Sequence, residues 1–187
     1  MNENHKKFTE HLKESTKALF IVAHYFHHYG YSIRINGQKC SPDASSHEEY
    51  ADDGDLFIQT KDYKKKWVRI EVKGLTAEFS NSEDWPFKNF MVCAKHSYDK
   101  TLPDPPSCYY ILNKTRTYAA IVKTNTFNYW FTRKVRCGNY ENVSQEFYHC
   151  PLDKIEWINI KINQKFIIWQ THKNEKEIKL KEKQQNF

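Results

Sequence analysis

Residues 67–73 read WVRIEVK and alternate between two kinds of side chain. Successive side chains of a β-strand point to opposite faces of a sheet, so Val68, Ile70 and Val72 would share one face. We predict that this apolar face packs on the core, against a helix. The opposite face places a carboxylate two residues from an ammonium. That second face carries Trp67, Arg69, Glu71 and Lys73.

The preceding segment, DLFIQT at residues 55–60, predicts a second strand, and the polar stretch KDYKKK at 61–66 predicts the turn between the two. In a hairpin, Asp55 would lie opposite either Glu71 or Lys73. All three side chains share a face in both registers, because directly opposed residues do. A slip of one residue would separate them, and the turn length alone does not exclude that slip.

The rest of the chain predicts a helix followed by many strands. Apolar and aromatic side chains recur at helical steps over residues 5–29, which indicates one long amphipathic helix, and Gly30 is typical of a helix end. A strand over 32–36 and a loop over 37–54 follow. Further strands are predicted at 89–95, 108–113, 117–123, 127–135, 155–162 and 166–169, with a proline-rich loop at 100–107 and a hairpin turn at 114–116.

The length of 187 residues suits one domain, which we assign to residues 1–172, followed by a charged tail at 173–187. An aromatic content of 16% indicates a folded chain. The net charge of +6 favours an anionic partner, nucleic acid first. None of the five cysteines forms a CxxC pair, which argues against a zinc ribbon, and we interpret them as reduced and mostly structural.

The N-terminal sequence MNENHKKF lacks the apolar stretch of a signal peptide, and no later stretch is long enough to span a bilayer. We therefore expect a cytoplasmic, intracellular protein that has no membrane partner.

The set of Asp55, Glu71 and Lys73 suits the hydrolysis of a phosphodiester bond. Two carboxylates can hold a hard divalent cation and leave positions for water and phosphate. Such a metal stabilises charge on the phosphodiester and helps to generate hydroxide. A nearby lysine can position the attacking water or stabilise the developing charge. The lysines of the neighbouring turn, Lys64, Lys65 and Lys66, are candidate phosphate contacts.

This arrangement resembles the PD-(D/E)XK nuclease superfamily. The matching residues are Gly54-Asp55 at a strand start and Glu71-Val72-Lys73 at the end of the next strand, behind a long helix. The resemblance covers roughly residues 10–125. It implies a restriction-endonuclease-like α/β core, with a mixed sheet flanked by helices, and metal-dependent cleavage of DNA. Phage and Holliday-junction-resolvase-type members are the most similar, which implies a phage- or prokaryote-encoded protein.

The resemblance also implies roles for single residues. Asp55 and Glu71 would bind Mg²⁺ or Mn²⁺, the Val72 carbonyl would join them, and Lys73 would orient or activate water. Many members carry a proline before the first aspartate, where this chain has Asp52-Asp53-Gly54.

Two further positions are accessory candidates for this site. Many members add a glutamate from the first helix, for which Glu14 and Glu10 are the candidates here. An ordinary exposed helix residue is the simpler interpretation of Glu14. Gln59 shares a strand face with Asp55 and could contact the site.

Other interpretations stay open. A Glu-x-Lys pair at strand spacing can be a solvated sheet face in a chain with 28% charged residues. The protein could be a non-catalytic nucleic-acid-binding module on the same fold, or an interaction protein whose basic surface meets another protein. Cleavage of branched DNA, or of both strands of a duplex, would favour a homodimer, since two sites related by a two-fold axis suit two scissile bonds.

Overall fold

The computed structural model of the chain describes residues 3–36, 54–59, 66–136 and 144–160, and within the first helix it describes side chains only at residues 10, 12 and 15–28. Several predicted features therefore lie outside the described residues. They are nearly all of the 37–54 loop, the turn residues Lys64 and Lys65, the strand at 166–169 and the tail at 173–187.

The predicted α/β class with a mixed sheet is confirmed, and the architecture contains two helices and nine strands among the described residues. The helices are α1 (Glu3–His28) and the short α2 (Lys95–Asp99). The strands are β1 (Ser32–Ile35), β2 (Leu56–Gln59), β3 (Val68–Gly74), β4 (Asn89–Ala94), β5 (Cys108–Leu112), β6 (Tyr118–Lys123), β7 (Phe131–Arg136), β8 (Ser144–Pro151) and β9 (Glu156–Asn159).

Six strands form one sheet in the order β1-β2-β3-β5-β6-β9. The strands β1, β2 and β3 are antiparallel neighbours, whereas β3 and β5 run parallel and β5, β6 and β9 are again antiparallel. A parallel pair needs a crossover connection, and here the crossover contains β4 and α2. The predicted hairpin between the strands now called β5 and β6 is present.

Helix α1 covers one face of this sheet and contacts β1, β2 and β3. Its buried face repeats every three or four residues, as an amphipathic helix requires. That face packs on apolar side chains of the sheet such as Leu56, Ile70 and Val72, which are at most 4% exposed. The buried helix residues are Ala18, Leu19, Val22, Ala23 and Phe26.

The remaining three strands form a separate antiparallel sheet in the order β4-β8-β7, so the expectation of one mixed sheet was incomplete. Its apolar side chains pack on the other face of the large sheet, around β5 and β6. This second core contains Phe90, Val92, Tyr109, Val122 and Cys150. The large sheet is therefore covered on both faces at β5 and β6, which explains why both of these strands are nearly continuously buried.

One predicted strand begins later in the structure than expected, and two elements of the structure were not predicted. The predicted strand at 127–135 begins only at Phe131, because residues 124–129 form a 3-10 helix closed by a hydrogen bond from Trp130 Nε1 to Thr126 Oγ1. Strand β8 was not predicted, since polar side chains fall on both of its faces and hide the alternation. Likewise, α2 is too short to show a helical period.

Of the five cysteines, Cys93, Cys108 and Cys150 are free thiols, and the other two lie outside the described residues. Burial raises the pKa of Cys108 to about 12 and the pKa of Cys150 to about 11, so both thiols stay protonated at neutral pH. Among the described residues, no helix has the length and apolar character needed to cross a bilayer.

Candidate active site on the open face of the sheet

The register between β2 and β3 decides which side chains meet. Leu56 pairs with Ile70 and Phe57 pairs with Arg69, so the same register places Asp55 level with Glu71. Leu56 and Ile70 point toward α1, and Asp55 and Glu71 therefore point to the opposite face. We call this side of β1, β2 and β3, turned away from α1, the open face.

The side chain of Asp55 is held by the backbone of the neighbouring strand. Asp55 Oδ2 accepts a hydrogen bond of 2.8 Å from the backbone N–H of Val72. Asp55 lies just before β2 begins, so its carboxylate replaces a backbone acceptor at the point where β3 continues beyond its neighbour. The N–H and C=O groups of one strand residue point to the same edge, so the Val72 carbonyl lies on the same side as Asp55.

Gly54 makes this approach possible. Its φ of +105° lies in a region that L-residues avoid. A Cβ at this position would overlap Arg69 Nε and lie 3.0 Å from Arg69 Cζ. A proline, which fixes φ near −65°, could not adopt this conformation. The positive φ therefore favours glycine at this position, and the Arg69 side chain would have to shift to admit a Cβ.

Glu71 is paired with an arginine of its own strand. Arg69 donates to Glu71 Oε1 from Nε at 3.1 Å and from Nη2 at 2.7 Å. The two side chains are 20% and 19% exposed, so solvent screens the pair only in part. Among the described residues Glu71 accepts these bonds through Oε1, which leaves Oε2 for another ligand.

Lys73 reaches toward the smaller sheet. Its Nζ donates a hydrogen bond of 2.8 Å to the backbone carbonyl of Val92 and lies 5.3 Å from the centre of the Tyr109 ring. Lys73 follows Glu71 by two residues, so both side chains point to the same face. The Val92 carbonyl and the Tyr109 ring therefore hold the ammonium at one position, on the face of β3 that also carries Glu71.

The two groups in contact with this ammonium, the Val92 carbonyl and the Tyr109 ring, carry no charge. Burial raises the pKa of Tyr109 and also raises the pKa of the Cys93 thiol, which lies beside the Tyr109 side chain. Both groups therefore stay neutral at physiological pH and do not form ion pairs with Lys73.

The oxygen donors of Asp55, Glu71 and Val72 fit a magnesium or manganese ion. Mg²⁺ in proteins commonly uses one or two carboxylates and keeps several waters. No cluster of three or more His, Cys, Asp or Glu side chains occurs in the part of the chain that the structure describes. This donor set suits a hard cation and does not suit zinc, which prefers nitrogen and sulfur.

The structure describes only some of the accessory candidates and of the candidate phosphate contacts. Gln59 lies at the far end of β2 and pairs with Ser32, four residues from Asp55 or about 13 Å along the strand. Glu10 is exposed on α1, and the side chain of Glu14 lies outside the described residues. Lys66 is exposed directly before β3, and its neighbours Lys64 and Lys65 lie outside the described residues.

Sequence reasoning missed the roles of Arg69, Gly54 and Val92. Arg69 could have been identified, because it shares a strand face with Glu71 at the shortest same-face spacing. The conformation of Gly54 and the approach of the Val92 carbonyl depend on tertiary contacts and leave no local signal.

Comparisons with protein-family models, with curated proteins and with solved structures found no match to this chain.

Proposed function

We propose that this protein is a metal-dependent endonuclease that hydrolyses phosphodiester bonds in DNA, with Asp55, Glu71 and Lys73 in its active site. One observation carries the proposal. The β2–β3 register sets Asp55 level with Glu71, and the hydrogen bond from Val72 N–H to Asp55 Oδ2 joins the two strands at that level. The two carboxylates thus lie level on the open face, and Lys73 follows Glu71 by two residues on that face.

The order of elements gives further support. The Asp55 strand and the Glu71–Lys73 strand follow a helix and a first strand, in the order that the resemblance to the PD-(D/E)XK superfamily implies. The parallel strand β5 then extends the antiparallel β1-β2-β3 group into a mixed sheet. The apolar residues of these strands pack on α1, which leaves the charged residues on the face where a substrate could approach.

Each residue has a defined part in the proposed reaction. Asp55 and Glu71, with the Val72 carbonyl, would bind Mg²⁺ or Mn²⁺, and the ion would supply charge stabilisation at the phosphodiester and a more acidic water. The Val72 N–H fixes the Asp55 carboxylate in place before any ligand binds. Lys73 orients the attacking water or stabilises negative charge on the phosphate, from a position fixed by Val92 and Tyr109.

Arg69 contacts one of the proposed metal ligands. Its guanidinium neutralises Glu71 through Oε1. A metal ion would therefore use Oε2 or take the place of Arg69. This pairing also favours the second candidate function, a nucleic-acid-binding module without cleavage, because an arginine that already satisfies the carboxylate competes with a cation for it.

A cleavage assay with the purified full-length chain separates the two candidates. Supercoiled plasmid, linear duplex, branched DNA and a single strand are incubated with Mg²⁺, Mn²⁺, Ca²⁺ or EDTA. Glu71→Gln removes the metal-binding charge and keeps the side-chain shape. Glu83→Gln, at an exposed loop position, is the matched control. Cleavage in Mg²⁺ or Mn²⁺ that the Glu71 variant loses and the Glu83 variant keeps supports the nuclease.

Salt-sensitive binding of DNA without cleavage in any metal would support the second candidate instead. A protein that neither cleaves nor binds DNA would favour an interaction protein. A cleavage rate that rises more steeply than linearly with protein concentration, together with a dimer in solution, would support two sites acting on two strands.

A further inference from the structure

The open face carries a second cluster of side chains beside the candidate active site. Arg34 of β1 pairs with Phe57 of β2, and Phe57 pairs with Arg69 of β3. The three residues therefore form one row across three strands. The row of Asp55 and Glu71 lies two residues further along, which corresponds to about 6.5 Å. The two rows share the open face and are direct neighbours.

Arg34 lies against two aromatic rings of this face. Its Cζ is 4.3 Å from the centre of the Phe57 ring and 5.3 Å from the centre of the Trp67 ring. The aromatic contacts hold the guanidinium in place, yet the Arg34 side chain remains exposed. A fixed, exposed guanidinium can bind a phosphate oxygen through its N–H groups and can also stack on the flat face of a base.

The open face carries charged side chains, whereas a sheet face buried in a core would carry apolar ones. Helix α1 contacts β1, β2 and β3 on the other face, and the smaller sheet meets this part of the chain at Lys73. Phe57, Trp67 and Arg69 are each half-buried, so their rings and charge still reach the surface. The face thus combines the exposed charge of Arg34 with aromatic surface, and this positive charge suits a polyanion.

We propose that the open face of β1, β2 and β3 binds a DNA strand whose bases are unpaired, with Arg34 on its phosphates and Trp67 against its bases. The inference rests on the proposed function and deepens it, since it specifies the form of DNA that reaches Asp55 and Glu71. The aromatic rings distinguish this substrate from a duplex, because paired bases are stacked on each other and offer no free flat face.

Equilibrium binding in EDTA tests this proposal without any cleavage. A fluorescently labelled single-stranded oligonucleotide and the duplex of the same sequence are titrated with the full-length protein, and anisotropy gives Kd. We expect tighter binding of the single strand. Trp67→Ala should weaken that binding by about 5- to 100-fold, as expected for one lost base–aromatic stack. Trp67→Phe should retain most of it, because a ring remains.

Two arginine variants provide the matched comparison. Arg34→Ala should weaken binding. It should also lower the slope of log K against log salt concentration by about 1, the value for one lost phosphate contact. Arg133→Ala is the control, because Arg133 is also exposed and also lies over a phenylalanine, 5.1 Å from the Phe131 ring, but in the smaller sheet. The Arg133→Ala variant should bind the single strand with the same Kd as the wild type. Thermal melting of each variant establishes that the folded protein is being measured.

Equal affinity for single strand and duplex, or wild-type binding by both Trp67→Ala and Arg34→Ala, would overturn the inference. If the protein gives that binding result and still cleaves DNA in the presence of metal, only the single-strand inference is refuted and the nuclease proposal is retained. Conversely, single-strand binding that depends on Trp67 and Arg34, without cleavage in any metal, would support the inference and refute the nuclease.

Discussion

The carboxylate of Asp55 accepts a hydrogen bond from the backbone N–H of Val72 across the β2–β3 pair, at 2.8 Å. This bond fixes the first acidic residue of the candidate site against the strand that carries the second. It also makes Asp55 a structural residue, so its charge and its hydrogen bond must be tested separately.

Neutral replacements of the two carboxylates should abolish activity while preserving the fold. Asp55→Asn retains an oxygen that can accept the Val72 N–H, and Glu71→Gln retains shape; both lose the charge that binds a cation. Each should lower DNA cleavage at least ~10²-fold. DNA binding in EDTA should persist or tighten, because a negative charge near the phosphate is removed. Asp55→Ala, which also removes the acceptor, should in addition destabilise the protein by about 1–3 kcal/mol.

Single-turnover cleavage and thermal melting on the same preparations check these expectations. Near-wild-type cleavage by either neutral variant would eliminate the proposed site. Equal stability of the asparagine and alanine variants would show that the Val72 bond contributes little.

Replacement of Lys73 should slow the chemical step more than it weakens binding. Lys73→Ala removes an ammonium that Val92 and Tyr109 hold on the same strand face as Glu71. If this charge acts in the transition state, the single-turnover rate should fall strongly and the substrate Kd should change little. Lys73→Arg should rescue poorly, because a planar guanidinium does not replace a compact point charge.

The control for Lys73 is Lys88→Ala, at an exposed position just before β4. A folded Lys73→Ala protein that cleaves DNA at the rate of the wild type and of this control would defeat the catalytic assignment.

Alanine should be tolerated at Gly30 and harmful at Gly54, although both glycines have positive φ. At Gly30, where φ is +82°, an added Cβ meets nothing within 4 Å, so only backbone strain of about 1–2 kcal/mol is expected. At Gly54 the Cβ would also displace the Arg69 guanidinium. Gly54→Ala should therefore destabilise the protein more than Gly30→Ala and should weaken the Arg69–Glu71 pair.

Urea unfolding of the two variants measures this difference. A double variant with Arg69→Ala should recover part of the loss at Gly54 and none at Gly30. Equal destabilisation at the two positions would mean that the Arg69 contact is unimportant.

Acid should destabilise the smaller sheet through His149. This residue is 7% exposed, its Nδ1 lies 2.8 Å from Asn89 Oδ1, and its Nε2 is buried without a partner among the described residues. Burial, and then the charge of Arg133, lower the pKa of His149 below the ordinary value of 6.5. The unfolded chain therefore takes up the proton at a higher pH than the folded protein does. As a result, the free energy of unfolding decreases as the pH falls from about 6.5 toward the pKa of the folded state.

Melting temperatures between about pH 7.5 and about pH 5 test this expectation. His149→Phe, which retains a ring to stack on Phe131, should reduce the loss of Tm on acidification. An unchanged pH dependence in this variant would show that His149 does not contribute to it.

The parts of the fold with a clear period could be predicted from the sequence. The alternation in residues 67–73 predicted that Ile70 and Val72 would be buried and that Glu71 and Lys73 would share the other face, and this is what the structure has. The separate three-stranded sheet could not be predicted. Polar residues on both faces of β8 obscure its period, and α2 is only one turn long.

The sequence by itself determined which residue types lie at strand spacing, because side-chain alternation is a local property of the backbone. It left two registers open for Asp55. Only the tertiary structure decided between them, since register depends on how Leu56 and Ile70 pack together under α1. It also decided that Arg69 pairs with Glu71, that Gly54 gives Arg69 room, and that a carbonyl from the other sheet holds Lys73. These are contacts between distant segments or between side chains whose rotamers the surroundings select, so local sequence cannot encode them alone.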